Sequence, residues 1–449
     1  MTAFLAVADT PAYYRLISLV GLAVLIGIAW LLSVNRKGIK WRPVAIGVAL
    51  QLVFGVVVLS PMLSEFFFVV VDGGVNQLLD FSAKGAEFVF GSMVPHQVLG
   101  PDGAAMAENG APIVWAGKVS PAVRTFAFWI LPTIVFFSSL MSILYYLGVM
   151  QRIVRALAWV MQRTMGTSGA ESLSAAANIF VGQTEAPLLI KPYVKDMTRS
   201  ELMAVMTGGF ATVAGGVMAA YVGFLQDIPG IAGHLVTASI MSAPAALAIA
   251  KIMVPEDGTP VTAGDLSKIS TDAEMGDRNL IEAAARGATE GMKLAFNVAA
   301  MLIAFVALVA MVDWAVALIP FLGEPLSLSR IFGWVFAPIA FCMGVPWDEA
   351  TLVGRLLGEK IVLTEFIAYI HLGEMVAGPT PQLSDRSAII ASYALCGFAN
   401  FASIGIQLGG IGGIAPSRMG DLAELGLRAM IAGSIAAFMT GTVAGMLIG

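Results

Sequence analysis

Apolar residues in this chain fall into long uninterrupted runs separated by short polar stretches, and the length of each run decides what it can do. A helix needs about 20 apolar residues to cross a bilayer. Residues 16–34 and 44–63 meet that length, with Arg36, Lys37, Lys40 and Arg42 between them. Short basic loops stay on the cytoplasmic side, so this loop is predicted inside and the N-terminus outside. Residues 65–81 mix aromatic and valine positions with Asp72, Asn76 and Asp80, which predicts a helix lying at an interface. A polar loop with Gly and Pro, 93–121, follows on the outer side. Residues 125–150 form another span, with Pro132 inside it. Residues 151–165 set Arg152, Arg155 and Arg163 against Ile153, Val154, Leu157, Val160 and Met161, the pattern of an amphipathic helix on the cytoplasmic surface.

The stretch 178–193 behaves differently. A Gly, an amide, a hydroxyl and a carboxylate sit side by side between two apolar runs, each too short to span. With basic Lys191, Lys195 and Arg199 on its exit, it is predicted to dip into the membrane and return to the same face. Polar tips at membrane depth are tolerated only inside protein or a watery cavity, so this one reads as a functional site. Spans at 202–225, 235–250 and 294–322 follow, with 254–290 as a polar cytoplasmic loop carrying a short helix. The first of these spans is interrupted by Gly208, Gly209, Gly215 and Gly216 around Thr212.

From there the chain repeats itself. Met165-Gly166 with Glu171 recurs as Met343-Gly344 with Glu349, Thr184-Glu185 as Thr364-Glu365, Arg199-Ser200 as Arg386-Ser387, and Gly209-Phe210-Ala211 as Gly397-Phe398-Ala399. A second amphipathic helix is predicted at 326–345. One copy starts after a helix arriving inside and the other after a helix arriving outside, so the repeats are inverted, as in secondary transporters that bind substrate where their halves meet. Spans at 388–408 and 425–447 complete the count. The prediction is an all-α polytopic membrane protein with about eight transmembrane helices, two re-entrant hairpins, interfacial helices and both termini outside. Its parts divide as 1–150 (scaffold), 151–255 (first repeat of the transport part), 256–325 (loop and scaffold helix) and 326–449 (second repeat).

Composition agrees with the class and excludes others. Of 449 residues, 58% are hydrophobic and only 12% charged, against about a quarter charged in a soluble domain; mean hydropathy is +0.85. The net charge of -5 is spread out and contains no basic block suited to nucleic acid. Cys342 and Cys396 lie far apart in apolar surroundings, suggesting neither a disulfide framework nor a metal cluster. No removable signal peptide is expected at 1–14. His-Glu-x-x-His, Gly-x-Ser-x-Gly and phosphate-loop patterns are missing, so no enzyme is expected.

The chemistry follows from what the repeats bring together. Each hairpin tip offers a Thr-Glu pair, and each following helix is interrupted beside a polar residue: Thr212 in the first copy, Asn400 and Ser403 in the second. Interrupted helices free carbonyls and amides, which a cation and a hydroxyl-bearing substrate can satisfy. Neither 178–190 nor 398–408 contains Arg or Lys, so an anionic substrate would lack its counter-ion. A neutral, polyfunctional solute is expected. Asp313, Arg355, Glu359, Lys360 and Glu374 are expected to be ion pairs or interface anchors, and His96, His234 and His371 solvated or structural.

The tips Gly182-Gln183-Thr184-Glu185-Ala186-Pro187 and Glu365-Phe366-Ile367-Ala368-Tyr369, with the run Cys396-Gly397-Phe398-Ala399-Asn400-Phe401, closely resemble the signatures of the concentrative nucleoside transporter family. The resemblance runs from about residue 16 to the C-terminus. It implies a homotrimer in the inner (plasma) membrane of a bacterium, whose transport part moves like an elevator past the scaffold and imports a uridine-like nucleoside with Na+. By the same resemblance Gln183, Thr184 and Glu185 bind the nucleobase, Glu365, Asn400 and Ser403 the ribose hydroxyls, and Val217 and Phe398 pack on base and sugar. The sodium site maps onto Asn178, Thr212 and the carbonyls of Val181 and Val213, all oxygen ligands that suit a hard cation. Ala402 and Thr212 depart from residues found in relatives; Thr212 keeps the hydroxyl. Proton coupling through Glu185 or Glu365 is the alternative, followed by a carrier of another small polar metabolite.

Overall fold

The computed structural model describes residues 11–59, 61–91, 96–100, 102–108, 111–115, 125–263, 277–318, 320–321 and 324–448. The first spans are α1 (Ala12–Leu31) and α2 (Trp41–Leu59), separated by the basic loop, and α3 (Pro61–Phe90) is a single helix longer than the interfacial segment the sequence suggested. A π-helical turn, Phe126–Ile130, leads into α4 (Leu131–Tyr146). The loop 93–121 lies partly outside the described residues. Its described part is not helical: His96–Gln97 pairs antiparallel with Val114–Trp115, and Ala107–Glu108 with Ala111–Pro112.

The first repeat opens with α5 (Val149–Met165). It buries Met150, Val154, Ala158, Met161 and Met165, one stripe at helical spacing, and turns its arginines away, as the pattern predicted. Gly166 ends it with φ 75°, the left-handed conformation glycine adopts without strain. Hairpin 1 follows: α6 (Gly169–Ala177), a turn through 178–185, a 3-10 segment Ala186–Ile190 and α7 (Lys191–Val194). The interrupted span is α8 (Arg199–Ala211) and α9 (Gly215–Phe224), broken at Thr212, and α10 (Ile231–Met253) completes the repeat. Ser168 with Glu171 and Thr198 with Glu201 form capping boxes that start α6 and α8.

Helix α11 (Leu280–Val316) extends further into the polar loop than expected and stops short of residue 322, because Asn279 caps it through Glu282 N and an antiparallel pair, Pro320–Phe321 with Glu324–Pro325, follows. The second repeat then runs through α12 (Leu328–Cys342), hairpin 2 as α13 (Trp347–Val362) and α14 (Glu365–Val376), a second broken span as α15 (Asp385–Leu395) and α16 (Phe401–Ile414), and α17 (Met419–Leu447). Gly344, at the position matching Gly166, also has positive φ (95°), and α12 and α13 meet at 116°. One landmark is out of step. Gly209-Phe210-Ala211 closes α8, whereas Gly397-Phe398-Ala399 lies within the second break, whose five residues outnumber the three of the first.

Among the described residues seven helices are long and apolar enough to cross a membrane, with the broken pair α8–α9 counted as one. The bent pair α12–α13 raises that number to eight if counted as one span, and α16, in the broken pair α15–α16 that is the counterpart of α8–α9, is apolar but shorter. Burial sorts the spans. The apolar window of α8–α9 is 89% buried and that of α11 only 6%, so the broken helices form the centre while α11 faces outward. Helices α1 and α2 pack on α17 and α10, whereas α4 and α11 pack chiefly on each other.

The two breaks abut. Gly397 has φ 110°, and a Cβ there would lie 2.5 Å from the Phe210 carbonyl oxygen and 2.8 Å from that of Ala211. Only a glycine lets the second break rest on the end of α8. Gly397→Ala is therefore expected to destabilise the purified protein by about 2–5 kcal/mol through combined strain and overpacking. Thermal unfolding followed by tryptophan fluorescence checks this, and an unchanged melting temperature would show that the approach is not needed.

Candidate substrate and ion site

Hairpin 1, hairpin 2 and both breaks converge where the helices are interrupted. Gly208 and Gly209 at the end of α8 make the convergence possible. A Cβ on Gly208 would sit 3.3 Å from Asn178 Nδ2, and one on Gly209 would sit 2.9 Å from Gln183 Cβ. The glycines are thus a packing surface for hairpin 1, and that packing places the polar tip.

From this contact a chain of side-chain hydrogen bonds crosses the protein. Gln183 Nε2 donates to Ser403 Oγ (3.1 Å), and Gln183 Oε1 accepts from Gln407 Nε2 (3.0 Å), which also donates to the Met206 carbonyl (3.1 Å). Asn400 caps α16 by accepting from Ser403 N (2.8 Å) and donates its amide to Glu365 Oε2 (2.9 Å). The other oxygen, Glu365 Oε1, accepts from Tyr221 Oη (2.9 Å) on α9. Gln183, Glu365, Asn400, Ser403 and Gln407 are all buried. The result is a buried polar network between the halves in which Gln407 Oε1 alone of these side chains' buried polar atoms is left without a partner among the described residues, and it carries both donors and acceptors for a polyhydroxylated solute.

Other expected site residues take different places. Thr184 packs by its methyl on Gly410 of α16, where a Cβ would come within 2.7 Å. Glu185 is exposed at its tip and accepts from Gly182 N (2.8 Å). Val217 is buried on the first turn of α9, and Phe398 lies half-buried in the second break. Thr364, one half of the second Thr-Glu pair, is spent as the N-cap of α14, accepting from Ile367 N (3.4 Å).

The expected ion ligands are divided between the turn of hairpin 1 (Asn178, Val181) and the first break (Thr212, Val213). Gly215 N donates to the Phe180 carbonyl (2.9 Å), strapping the turn of hairpin 1 to the break, and Ser239 Oγ donates to the Ile179 carbonyl (3.0 Å). Thr212 is buried, its hydroxyl on the Gly208 carbonyl (2.9 Å), with Val213 buried beside it in sequence. Asn178 is 1% exposed, and neither its Oδ1 nor its Nδ2 has a hydrogen-bond partner among the described residues. Such an orphaned group costs about 1–3 kcal/mol unless a ligand supplies the partner. A neutral amide with no partner, in the turn that Gly215 N straps to the first break, is the kind of oxygen ligand a hard monovalent cation accepts.

Three family models match in order: "Na+ dependent nucleoside transporter N-terminus" over residues 20–93, "Nucleoside recognition" over 127–227, and "Na+ dependent nucleoside transporter C-terminus" over 234–445. The chain is 42% identical to the uncharacterized transporter YutK of Bacillus subtilis, over 96% of this chain and 98% of that one. The chain belongs to the concentrative nucleoside transporter family. It is also 43% identical to solute carrier family 28 member 3 of Rattus norvegicus, over 96% of this chain but only 59% of the rat protein's length. Among solved structures it is similar to CNTnw in an inward-facing substrate-bound state (40% identity, 97% and 98% of the two chains, TM-score 0.84). A CNTnw variant in an outward-facing state gives a TM-score of 0.85 at 41% identity, covering 98% and 100%.

Two members of this transporter's polar network are not marked by any motif in the sequence: Tyr221 and Gln407. Both sit one helical turn beyond an expected ligand, Tyr221 four after Val217 and Gln407 four after Ser403, so helical spacing from those ligands was the available signal. Tyr221→Phe removes one of the two side-chain donors to Glu365. Nucleoside binding measured by calorimetry is expected to weaken about tenfold or somewhat more, the scale of a hydrogen bond to a charged group, with the melting temperature nearly unchanged.

Proposed function

We propose that this chain imports nucleosides by sodium-coupled symport across the inner membrane, with both termini on the outer side. The observation that carries the reading is the network from Gln183 through Ser403 and Asn400 to Glu365 and Tyr221, because it spans both hairpins and both interrupted helices. Substrate bound there touches both halves at once. Vicinal ribose hydroxyls would donate to Glu365 and exchange hydrogen bonds with Asn400 and Ser403. The base would meet Gln183, Thr184 and Glu185, with Val217 and Phe398 giving apolar cover. No covalent chemistry is required.

Sodium is cargo, carried with the nucleoside. Asn178, Thr212 and the carbonyls of Val181 and Val213 would hold it, and its arrival would stiffen hairpin 1 against the first break. Gln183 lies in that same tip, so ion and nucleoside occupancy would be coupled reciprocally. Each charge moved down 100 mV supplies about 2.3 kcal/mol, enough to drive uphill import. The repeats at 151–255 and 326–449 would travel together against α4 and α11 as an elevator, in a homotrimer held by the outward-facing helices.

Uridine uptake into proteoliposomes is expected to collapse when the inward sodium gradient is removed. Uptake sustained by a proton gradient alone would move the coupling to the carboxylates, and equal uptake with neither gradient would defeat symport. Glu365→Gln replaces one accepting oxygen by a donor that faces either Tyr221 or Asn400. It is expected to cut uptake at least about tenfold while leaving the oligomer intact on native electrophoresis. Thr212→Ala is expected to raise the sodium concentration needed for half-maximal uptake by several-fold, on the order of 1 kcal/mol for one lost oxygen ligand, without altering uptake at saturating sodium.

A further inference from the structure

Lys360 does not behave as the ion pair or interface anchor its sequence context suggested. Its side chain is fully buried in the first leg of hairpin 2, two residues from the end of α13, and no carboxylate lies within 4.0 Å of its ammonium among the described residues. Lys360 Nζ donates instead to two backbone carbonyls, Ala394 (2.9 Å) and Cys396 (3.0 Å), and stands 5.8 Å from the centre of the Phe438 ring. Those carbonyls are the last turn and C-cap of α15, where the second broken helix stops.

The neighbouring pair Arg355 and His371 completes the contrast. Both are bonded to Glu359, at 2.7 Å and 2.8 Å, so the adjacent carboxylate is already matched. A buried ammonium is costly unless its hydrogen bonds and charge are compensated. Here the negative end of the α15 dipole and an aromatic face provide that compensation.

The first repeat has a polar side chain at the end of the same leg, held differently. Asn178 closes the first leg of hairpin 1 seven residues before Glu185, as Lys360 nearly closes the first leg of hairpin 2 five residues before Glu365. Lys360 meets the break of its own repeat's interrupted helix, whereas Asn178 lies against α8 one turn before its repeat's break, its Nδ2 3.3 Å from where a Cβ on Gly208 would sit. In the first repeat the side chain is a neutral amide with unpaired atoms; in the second it is a cation on the carbonyls.

We propose that the Lys360 ammonium is the resident cation of the second repeat. It occupies, on the carbonyl end of α15, the position that sodium takes at the first break. The comparison with sodium rests on the proposed ion site, but the role of Lys360 at its own break does not. Lys360 is a positioning residue. By tying the end of α15 to hairpin 2 it holds the stretch Cys396 to Asn400 unwound, and Asn400 in turn orients Glu365, which lies on that same hairpin. The inverted repeats thus have one exchangeable cation and one fixed one.

The test uses the purified full chain and two readings, melting temperature and uridine binding, for wild type and Lys360→Ala, each with methylammonium chloride or choline chloride at equal ionic strength. Lys360→Ala is expected to lower the melting temperature and weaken uridine binding by about tenfold or more, the scale of a lost charge-assisted contact. Methylammonium is expected to restore both in the variant and to move neither in wild type, which a merely space-filling role for the side chain does not predict. A variant equal to wild type, or one that methylammonium does not rescue, overturns the proposal. Should Lys360→Ala not fold, Lys360→Arg decides: retained binding within about threefold supports a fixed cation, and lost binding overturns it. If wild type binds uridine without sodium, the sodium reading falls while the methylammonium arm still judges Lys360. If wild type binds no uridine, the functional reading falls and the melting temperatures still judge it.

Discussion

Backbone polar groups left open at membrane depth have no water to bond, and the whole architecture answers that constraint. Two helices are interrupted in the middle of the protein, and each interruption exposes carbonyls and amides that cost several kcal/mol apiece if unpaired in hydrocarbon. The answer is to set the breaks against one another and to seal them with hairpins. Gly397 rests on the carbonyl end of α8, Gly215 N reaches the hairpin turn at Phe180, and Gln407 reaches back to the Met206 carbonyl. What this mutual closure leaves unpartnered there among the described residues includes the side-chain amide of Asn178 and Gln407 Oε1.

The repeats share geometry and differ in how their ends are held. At the base of hairpin 1, Ser168 Oγ bonds Glu201 (2.6 Å), and buried Lys251 pairs with Glu171 (2.8 Å) and Glu256 (3.1 Å). Thr262 closes the start of α6 by accepting from Gly169 N through its carbonyl and from Ala170 N through its hydroxyl. At the base of hairpin 2, Glu349 accepts from Ser384 in an exposed position, while Arg386, fully buried, donates to the carbonyls of Gly344, Gly445 and Ile448. Repeated Glu and Arg positions therefore do different work. Arg199, the counterpart of Arg386, is half-exposed and pairs with Glu424 at the surface. Inversion puts matching residues at opposite ends of the molecule, where burial differs and the physics follows burial.

Much of the fold was legible in the chain. Run length announced the spans, and Gly208 to Gly216 announced a break, because a polar, glycine-rich stretch inside an apolar run marks a place where the helix can stop and protein must surround the backbone. The stripe of α5 followed from helical spacing, hairpin 1 from short apolar runs flanked by basic residues, and hairpin 2 from the internal repeat. Gln183, Glu365, Asn400 and Ser403, which the family resemblance assigns to one substrate site, lie in one network. Local pattern also misled. Thr364 matches Thr184 by position yet serves as a helix cap, the matched Gly-Phe-Ala triplets fall at different points of their breaks, and a polar loop expected to carry a short helix is partly the start of α11.

The sequence by itself determined which segments enter the membrane, that the chain is two inverted copies, and which polar side chains are too costly to sit there without purpose. Those conclusions depend on hydropathy and periodicity, which are properties of neighbours along the chain. Tertiary structure alone decided who meets whom. That Tyr221 and Asn400 share Glu365, that Gln407 holds Gln183, that Asn178 is unpartnered among the described residues and that Lys360 lies on two carbonyls are matters of contact between distant segments, set by the close approach that Gly208, Gly209 and Gly397 permit. The hairpin at 178–193 is costly by its sequence, and it is made useful by the breaks packed against it.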